Sequence, residues 1–230
     1  MGPWIRTLAF RRYFERELAG GSTHSVLDAG CGDGSYAAEI ARRLPHARIV
    51  GLDLLSSPKW AEHKLGNLSF RQADLQGLAE SEAYDLVVSI DSLEHITNNR
   101  AIMRAFWNAL RPGGLLYLAM PRDDHDQTFL PARWFAAHHE WAEHEHIGEQ
   151  YELNELEVVL KEIGFSIRLA RHTFTAWGRL SWELDNVLNG SRLAFRVRAL
   201  GMPFFKLLGL LDLYLPIGRG HNLIIGEKAT

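Results

Sequence analysis

The stretch Val26-Leu-Asp-Ala-Gly-Cys-Gly-Asp-Gly-Ser35 constrains the fold of this chain more than any other segment. It begins as a short apolar run and then places a glycine at every second position, at Gly30, Gly32 and Gly34. The residues that follow, Tyr36–Leu44, have the apolar spacing of a helix. A strand that enters a glycine-rich turn and then a helix is typical of the nucleotide-binding corner of an open α/β sheet. The stretch therefore predicts an α/β fold.

Strand-like and helix-like segments alternate through most of the chain. The strand-like segments are 25–28, 48–53, 68–74, 84–91, 115–120, 165–171 and 222–228. This alternation predicts a Rossmann-like sheet of seven mostly parallel strands with helices on both faces. Between the last two strands, 177–188 has the apolar spacing of an amphipathic helix and 200–217 is very apolar. We expect a helical insertion there, before the last strand.

The length of 230 residues fits a single domain. We expect an N-terminal helix within 1–21, a ligand-binding core over 22–175, the helical insertion over 176–221 and a closing strand over 222–230. The N-terminal helix has two interpretations, because its aromatic residues and arginines suit either packing on the sheet edge or a lid over the ligand site.

Composition excludes several classes of protein. A net charge of -3 provides no basic field, so a nucleic-acid partner is not expected. The only cysteine, Cys31, excludes an internal disulfide and suits a reducing compartment, so a cytoplasmic protein is expected. The N-terminal segment does not resemble a secretory signal, because arginines interrupt it. No window approaches the roughly 20 uncharged apolar residues that a transmembrane helix needs.

Four of the predicted strands end at or near an aspartate: Asp28, Asp53, Asp74 and Asp91. Ligands of such sheets bind at the carboxyl ends of the strands, so these four acids are expected on one rim. The alternative is that each caps the helix that follows it. A dinucleotide would place its pyrophosphate at the start of the first helix, where Asp28 would repel it. An acidic rim instead favours a ligand with a sulfonium and an ammonium group, which indicates S-adenosylmethionine rather than a nicotinamide cofactor.

The same segments resemble motifs of class I S-adenosylmethionine-dependent methyltransferases, of the methyltransferase type 11-like group. Residues 26–34 resemble motif I, 50–54 the ribose-binding strand end, and 71–75 the adenine-contacting segment. Residues 84–96 resemble motif IV, and 110–118 the segment before the fifth strand. The resemblance covers roughly residues 25–172, in order and at the family's normal spacing.

The resemblance implies a role for individual positions. Asp28, Gly30 and Gly32 would line the methionine end of the cofactor. The ribose and the adenine would be held by Asp53, Leu54, Asp74 and Leu75, and the pocket would be closed beside the sulfonium by Ile90 and Asp91.

His95 follows the fourth strand, where the methyl acceptor should lie. An oxygen nucleophile needs a base to take its proton, and an imidazole titrates in the range that suits this task. His95 is therefore the candidate catalytic base. The alternative is that Glu94 and His95 only orient the following helix.

The spacing Asp91-x-x-Glu94-His95 also resembles an acid-x-x-Glu-His pattern of metal-assisted O-methyltransferases, in which a later histidine completes the site. The alternative metal ligands are thus Asp91, Glu94, His95 and His146, with His138, His139 and His144 close by in the sequence. A magnesium or manganese ion there would polarise the acceptor hydroxyl. Acidic residues in the same segment fit an ordinary polar loop equally well. We expect no catalytic metal, and a divalent ion is the alternative.

The N-terminal helix and the insertion are rich in Trp, Phe and Leu, and they are expected to line the acceptor pocket. They either pack on each other, form an apolar pocket, or contact a membrane through 200–217 with Arg192, Arg196 and Arg198 near lipid head groups. No Asn-Pro-Pro-Tyr-like segment follows the fourth strand, which favours methylation at oxygen. We expect O-methylation of a hydrophobic or lipid-like small molecule. The alternatives are a non-catalytic S-adenosylmethionine-binding or regulatory protein, or an N- or C-methyltransferase.

Overall fold

One seven-stranded sheet organises the computed structural model, which describes residues 3–18, 23–122, 129–135, 140, 144–188 and 192–229 (backbone alone at 3–4, 132 and 192–199). Its strands are β1 (Ser25–Ala29), β2 (Arg48–Asp53), β3 (Leu68–Gln72), β4 (Tyr84–Ile90), β5 (Leu110–Met120), β6 (Phe165–Thr173) and β7 (His221–Lys228). Their order across the sheet is β3-β2-β1-β4-β5-β7-β6. The strands β1 to β5 are parallel, and β7 is antiparallel to both β5 and β6. The predicted Rossmann-like fold is confirmed.

The helices of the described residues are α1 (Pro3–Tyr13), α2 (Ser35–Arg43), α3 (Asn99–Ala109), α4 (Leu153–Ile163), α5 (Ala176–Val187) and α6 (Arg192–Tyr214). A π-helical turn, Phe14–Leu18, continues α1, and 3-10 turns follow β2 (Pro58–Glu62), β3 (Leu75–Gly77) and β4 (Leu93–His95). A further 3-10 turn spans Ala132–Phe135. No helix in the described ranges is long and apolar enough to cross a lipid bilayer.

The sheet carries an apolar layer on each face. One layer joins β4 and β5 to Phe106 of α3 and to Leu156 and Leu160 of α4. In the other layer, Phe10 and Phe14 are completely buried beside α2. Each buried phenylalanine contributes about 2 kcal/mol of hydrophobic stabilisation. The N-terminal helix α1 is therefore fixed on the sheet by its aromatic residues.

Several boundaries differ from those predicted. The strand β1 continues one residue beyond Asp28, so this carboxyl group lies inside the sheet and only 2% of the residue is exposed. The strand β3 ends before Asp74, because that carboxylate caps the next turn by accepting from the Gln76 amide. The strand β5 begins at Leu110 rather than at Leu115, because Leu110 already pairs with Tyr84.

The antiparallel direction of β7 decides which residues meet at the rim. The carboxyl ends of β1, β2 and β4 lie at one edge of the sheet, and the amino end of β7 lies at the same edge. In the register of β7 with β5, Asn222 pairs with Met120, the last residue of β5. The neighbouring His221 consequently belongs to the same rim as Asp91, which follows β4.

Candidate active site

The loop between β1 and α2 turns through three glycines in the left-handed region, Gly30, Gly32 and Gly34, with φ of 78°, 53° and 83°. A Cβ at Gly30 would lie 2.0 Å from the Ser92 Oγ, so a larger residue does not fit there. A Cβ at Gly32 would meet nothing within 4 Å. One side of this glycine loop is therefore open at the start of α2, where backbone N–H groups favour ligand binding.

Asp53 braces the glycine loop from the end of β2. Its Oδ2 accepts a hydrogen bond from the Gly32 amide at 2.7 Å, and its Oδ1 accepts one from the Leu55 amide at 3.1 Å. The neighbouring Leu54 is 60% exposed, which is unusual for a leucine next to a strand. The predicted ribose-binding residues Asp53 and Leu54 thus lie directly beside the glycine loop.

The turn Pro58–Glu62 supports the glycine loop from outside, and sequence reasoning missed this contact. The Trp60 indole donates a hydrogen bond to the Gly32 carbonyl at 2.9 Å. Its ring stacks on Phe70 with centroids 5.0 Å apart and an interplanar angle of 7°. Lys59 also pairs with Asp33 of the loop at 2.8 Å. The sequence Pro58-Lys-Trp60 gave no sign that these side chains contact the glycine loop.

Asp28 lies beneath the glycine loop as a buried acid. Its Oδ2 is shielded from solvent and has no hydrogen-bond partner among the described residues. Burial raises the pKa of this carboxyl group to about 7, and the nearby charges of Asp53 and Asp33 contribute in the same direction. A buried acceptor without a partner is costly, and a cationic ligand group would relieve that cost.

The predicted adenine-binding pair divides into one exposed and one buried residue. Asp74 is exposed and caps the turn Leu75–Gly77 through the Gln76 amide at 2.8 Å. Leu75 is only 5% exposed and belongs to the core. The helix-capping alternative therefore describes the contact that Asp74 makes here. It does not describe Asp91, which accepts from an arginine instead.

Asp91 forms an ion pair with Arg6 of α1 across the rim. Its backbone is left-handed, with φ of 49°, which is uncommon outside glycine. Burial raises the pKa of the Asp91 carboxyl group, and the Arg6 guanidinium opposes that shift. Ile90, just before it, is 9% exposed. The helix α1 thus packs on the sheet and also places a cation at the rim.

His221 is a rim residue that sequence reasoning missed. Its Nδ1 lies 4.0 Å from the Asp91 Oδ1, and its ring lies 4.8 Å from that of Phe174. Burial lowers the pKa of His221 well below its ordinary value, and the charges of Arg6 and Arg179 lower it further. Its imidazole is therefore neutral at neutral pH. The only available signal was topological: a histidine that begins an antiparallel strand beside β5 must lie at the carboxyl edge.

His95 lies in the 3-10 turn after β4. Its Nδ1 is 2.9 Å from the Glu145 carbonyl oxygen. A carbonyl only accepts, so Nδ1 donates to it, and in the neutral form of the ring the lone pair therefore lies on Nε2. This tautomer suits the predicted role of a base.

Glu94, His95 and His146 form a compact group whose candidate ligand atoms all lie within 4.8 Å of one another. The rings of His95 and His146 meet edge to face at 5.3 Å. Glu94 is only 2% exposed, and burial raises its pKa to about 8, with the Asp91 charge as the second cause. The group does not include Asp91, which pairs with Arg6. The predicted His138 and His139 lie outside the described residues, and His144 is exposed.

Comparison with known proteins identifies a family. A family model described as "Methyltransferase domain" matches residues 5–170. Trans-aconitate 2-methyltransferase of Deinococcus radiodurans is 37% identical over 105 residues, which cover 45% of this chain and 40% of that protein. Ubiquinone biosynthesis O-methyltransferase of Acinetobacter baylyi is 31% identical over 112 residues, which cover 45% of this chain and 46% of that protein. The chain thus matches less than half of the length of these two relatives.

The fold is also similar to that of solved structures. Phosphoethanolamine N-methyltransferase 2 of Haemonchus contortus, in complex with S-adenosyl-L-methionine, superposes with a TM-score of 0.66 at 20% identity. That match covers 99% of this chain and 53% of the other chain. A cyclase superposes with a TM-score of 0.64 at 19% identity, covering 97% of this chain and 81% of the other. Similarity at this level of identity concerns the fold alone.

Proposed function

The chain belongs to the methyltransferase-domain family, and on this premise we propose that it transfers a methyl group from S-adenosylmethionine to an oxygen atom of a small-molecule acceptor. The sequence resemblance to class I S-adenosylmethionine-dependent methyltransferases is confirmed by this match. The observation that carries the proposal is the buried, unpartnered carboxyl oxygen of Asp28 beneath an open glycine loop. An acid in that position suits a cationic ligand and opposes a pyrophosphate.

The rim residues fit this cofactor by their chemistry. Its methionine end would lie along Asp28, Gly30 and Gly32. Its ribose and adenine would lie beside Asp53, Leu54, Asp74 and Leu75, and its sulfonium beside Ile90 and Asp91. When bound, S-adenosylmethionine supplies an electrophilic methyl group on a cationic sulfur. The exposed leucine at position 54, 60% accessible, would be covered by an adenine ring.

The acceptor would lie between Asp91 and the two histidines His95 and His221. We assign His95 as the base, because its tautomer leaves Nε2 as the proton acceptor. His221 and the Arg6–Asp91 pair would hold the acceptor oxygen close to the methyl group, since positioning supplies much of the rate of such in-line transfers.

We propose a hydrophobic acceptor that carries an acidic or hydroxyl oxygen. Arg6 lies 5.8 Å from the ring centre of the buried Phe174, so the rim combines a cation with an apolar wall. The names of two relatives refer to trans-aconitate and to ubiquinone biosynthesis, and the latter includes O-methyl transfer. We also propose that the protein works in the cytoplasm, in peripheral contact with a membrane that contains the acceptor.

Calorimetry with S-adenosylhomocysteine and with NAD tests the cofactor assignment. We expect binding of S-adenosylhomocysteine and none of NAD, and the reverse result would replace the methyltransferase assignment by a nicotinamide enzyme. Incubation with methyl-labelled cofactor and separate lipid and polar extracts then tests the acceptor. Label in the polar extract alone would reject a hydrophobic acceptor. Label on nitrogen or carbon of the product would reject O-methylation.

A divalent ion is the second candidate for activating the acceptor, and the group Glu94, His95 and His146 favours it. Carboxylate and imidazole ligands would hold magnesium or manganese, which supply Lewis-acid chemistry. Turnover after treatment with a chelator distinguishes the two schemes. We expect turnover to survive chelation, as a base mechanism requires. Loss of turnover that manganese restores would assign the group to a metal.

A further inference from the structure

The helix α6 exposes an apolar stripe along one face. Its exposed side chains are Leu200 (83%), Phe204 (52%), Leu207 (52%), Leu210 (42%) and Tyr214 (63%). The spacing of three or four residues places them on one side of an α-helix, over a length of about 20 Å at 1.5 Å per residue. The stripe continues into Leu215 and Ile217, which are also more than half exposed. A continuous exposed apolar surface of this kind marks an interaction site.

The opposite face of α6 fixes the orientation of this apolar stripe. Phe205 and Leu208 are buried, and the Phe205 carbonyl accepts a hydrogen bond from Ser181 of α5 at 3.2 Å. The buried Asp212 accepts hydrogen bonds from Thr175 at 2.6 Å and from the Gly178 amide at 2.9 Å. The helix is therefore held against α5 by buried contacts, and the stripe faces away from them.

The segment that includes α6 is basic in sequence. Between residues 192 and 219 the sequence has five basic residues, Arg192, Arg196, Arg198, Lys206 and Arg219, and one acid, Asp212. Asp212 is only 4% exposed and is hydrogen-bonded at the start of α5, so its charge is not on the exposed face of α6. Lys206 is exposed on α6, and Arg219, which follows the helix, is exposed and lies 3.6 Å from the Glu152 carboxylate. The Arg12 guanidinium of α1 lies 4.2 Å from the centre of the Tyr214 ring. An apolar face bordered by cations is complementary to an anionic lipid surface.

We propose that α6 docks in the plane of an anionic membrane, with Leu200, Phe204, Leu207, Leu210 and Tyr214 inserted among the lipids and the neighbouring cations at the head groups. This proposal rests on the peripheral membrane contact proposed above and adds which surface makes the contact and which lipid charge it prefers. The helix α5 starts directly after Phe174 and Thr175, and Phe174 touches the rim at His221. A docked α6 would therefore hold the acceptor side of the rim close to the bilayer.

Sedimentation with vesicles tests this proposal without any methyl transfer. The full chain is mixed with phosphatidylcholine vesicles, or with vesicles of phosphatidylcholine and phosphatidylglycerol in equal amounts. We expect pelleting with the anionic vesicles and weakening at high salt, because salt screens the charge contribution. The double variant F204E/L207E should need at least about tenfold more lipid for half-binding, since each buried apolar side chain is worth a factor of this size. The variant K206E/R219E should lose the preference for anionic vesicles.

The matched control is Val158→Glu, which adds an acid at a side chain that is 53% exposed on α4, away from the stripe. We expect it to pellet like the unmodified chain, and circular dichroism confirms that each variant is folded. Equal pelleting of F204E/L207E, or no pelleting of the unmodified chain, would overturn the proposal. A dimer in solution that F204E/L207E abolishes would also overturn it, because a second copy would then cover the stripe. Failure of methyl transfer with intact vesicle binding would reject the enzyme assignment alone.

Discussion

At the residue scale, the acceptor side of the rim contains two of the three described non-glycine residues with positive φ. Asp91 and Phe174 have φ of 49° and 54°, and both lie beside His221 and Arg6. Such a backbone costs of the order of 1–3 kcal/mol per residue and persists where the surrounding structure enforces it. Two strained residues in one contact group support the assignment of this side of the rim to ligand binding.

The two rim histidines should separate in steady-state kinetics. In His95→Gln we expect kcat to fall at least about 100-fold with little change in the KM for S-adenosylmethionine, because a base acts in the transition state. In His221→Gln we expect mainly a higher KM for the acceptor. A His95→Gln enzyme with the kcat of the unmodified protein would assign the base to another group.

The buried carboxyl of Glu94 predicts a dependence of stability on pH. Its pKa is raised to about 8 by burial, from an ordinary value of 4.5. The folded state therefore retains a proton that the unfolded state loses, and its stabilisation is complete below pH 4.5 and is lost as the pH rises through about 8. We expect the difference in unfolding free energy between Glu94→Gln and the unmodified chain to grow by a few kcal/mol over this range. Urea titrations at several pH values measure this difference in unfolding free energy. A difference that does not change with pH would contradict the raised pKa of Glu94.

The sequence predicted those site residues whose positions are set by local motifs. Asp53 is the last residue of β2 and Gly32 follows β1, and the structure joins them by a hydrogen bond of 2.7 Å. Arg6, Trp60 and His221 were not predicted as site residues, because their positions depend on packing between distant segments. The Arg6–Asp91 pair, for example, spans 85 positions of the chain.

At the scale of elements, the helix α5 is present as predicted, but its buried face is not the apolar face that the spacing over 177–188 indicates. The buried residues of this helix are Gly178, Ser181, Glu183 and Asp185, whereas its tryptophans and leucines are only partly buried. Glu183 accepts from the amides of Phe129 and Leu130 at 3.1 and 2.8 Å, which compensates for its burial. Apolar spacing identified the helix but not its buried face, because hydrogen bonds from two other segments decide that orientation.

Asp212 should be the main anchor between α5 and α6. Asp212→Ala removes two hydrogen bonds from a buried carboxylate and leaves the Thr175 hydroxyl and the Gly178 amide without their acceptor. We expect a loss of about 3 kcal/mol in unfolding free energy, measured by urea titration. The control Glu162→Ala disrupts an exposed ion pair with Arg100 and should cost less than about 1 kcal/mol. Equal effects of the two variants would contradict the anchoring role.

At the scale of the whole molecule, the alternation of strands and helices was sufficient to predict the sheet. Parallel strands with right-handed crossovers leave few topologies, and the strand order reverses beside β1, where the glycine loop lies. Strand boundaries were harder to predict from the sequence. The strand β5, for example, starts five residues before its predicted start, because Leu110 pairs with Tyr84. The proposed acceptor site was not predictable from the sequence for a related reason, because it is formed where segments from α1, β7 and the end of β6 meet.

Transfer of label from methyl-tritiated S-adenosylmethionine to a cell extract measures the proposed methyl transfer itself. We predict that the unmodified protein labels a small molecule in the lipid fraction. Asp53→Ala should reduce labelling at limiting cofactor by at least about tenfold, since it removes a charged hydrogen bond that holds the glycine loop. Binding of S-adenosylhomocysteine without label above a heat-denatured control in either fraction would contradict the proposed methyltransferase activity and identify a non-catalytic binding protein.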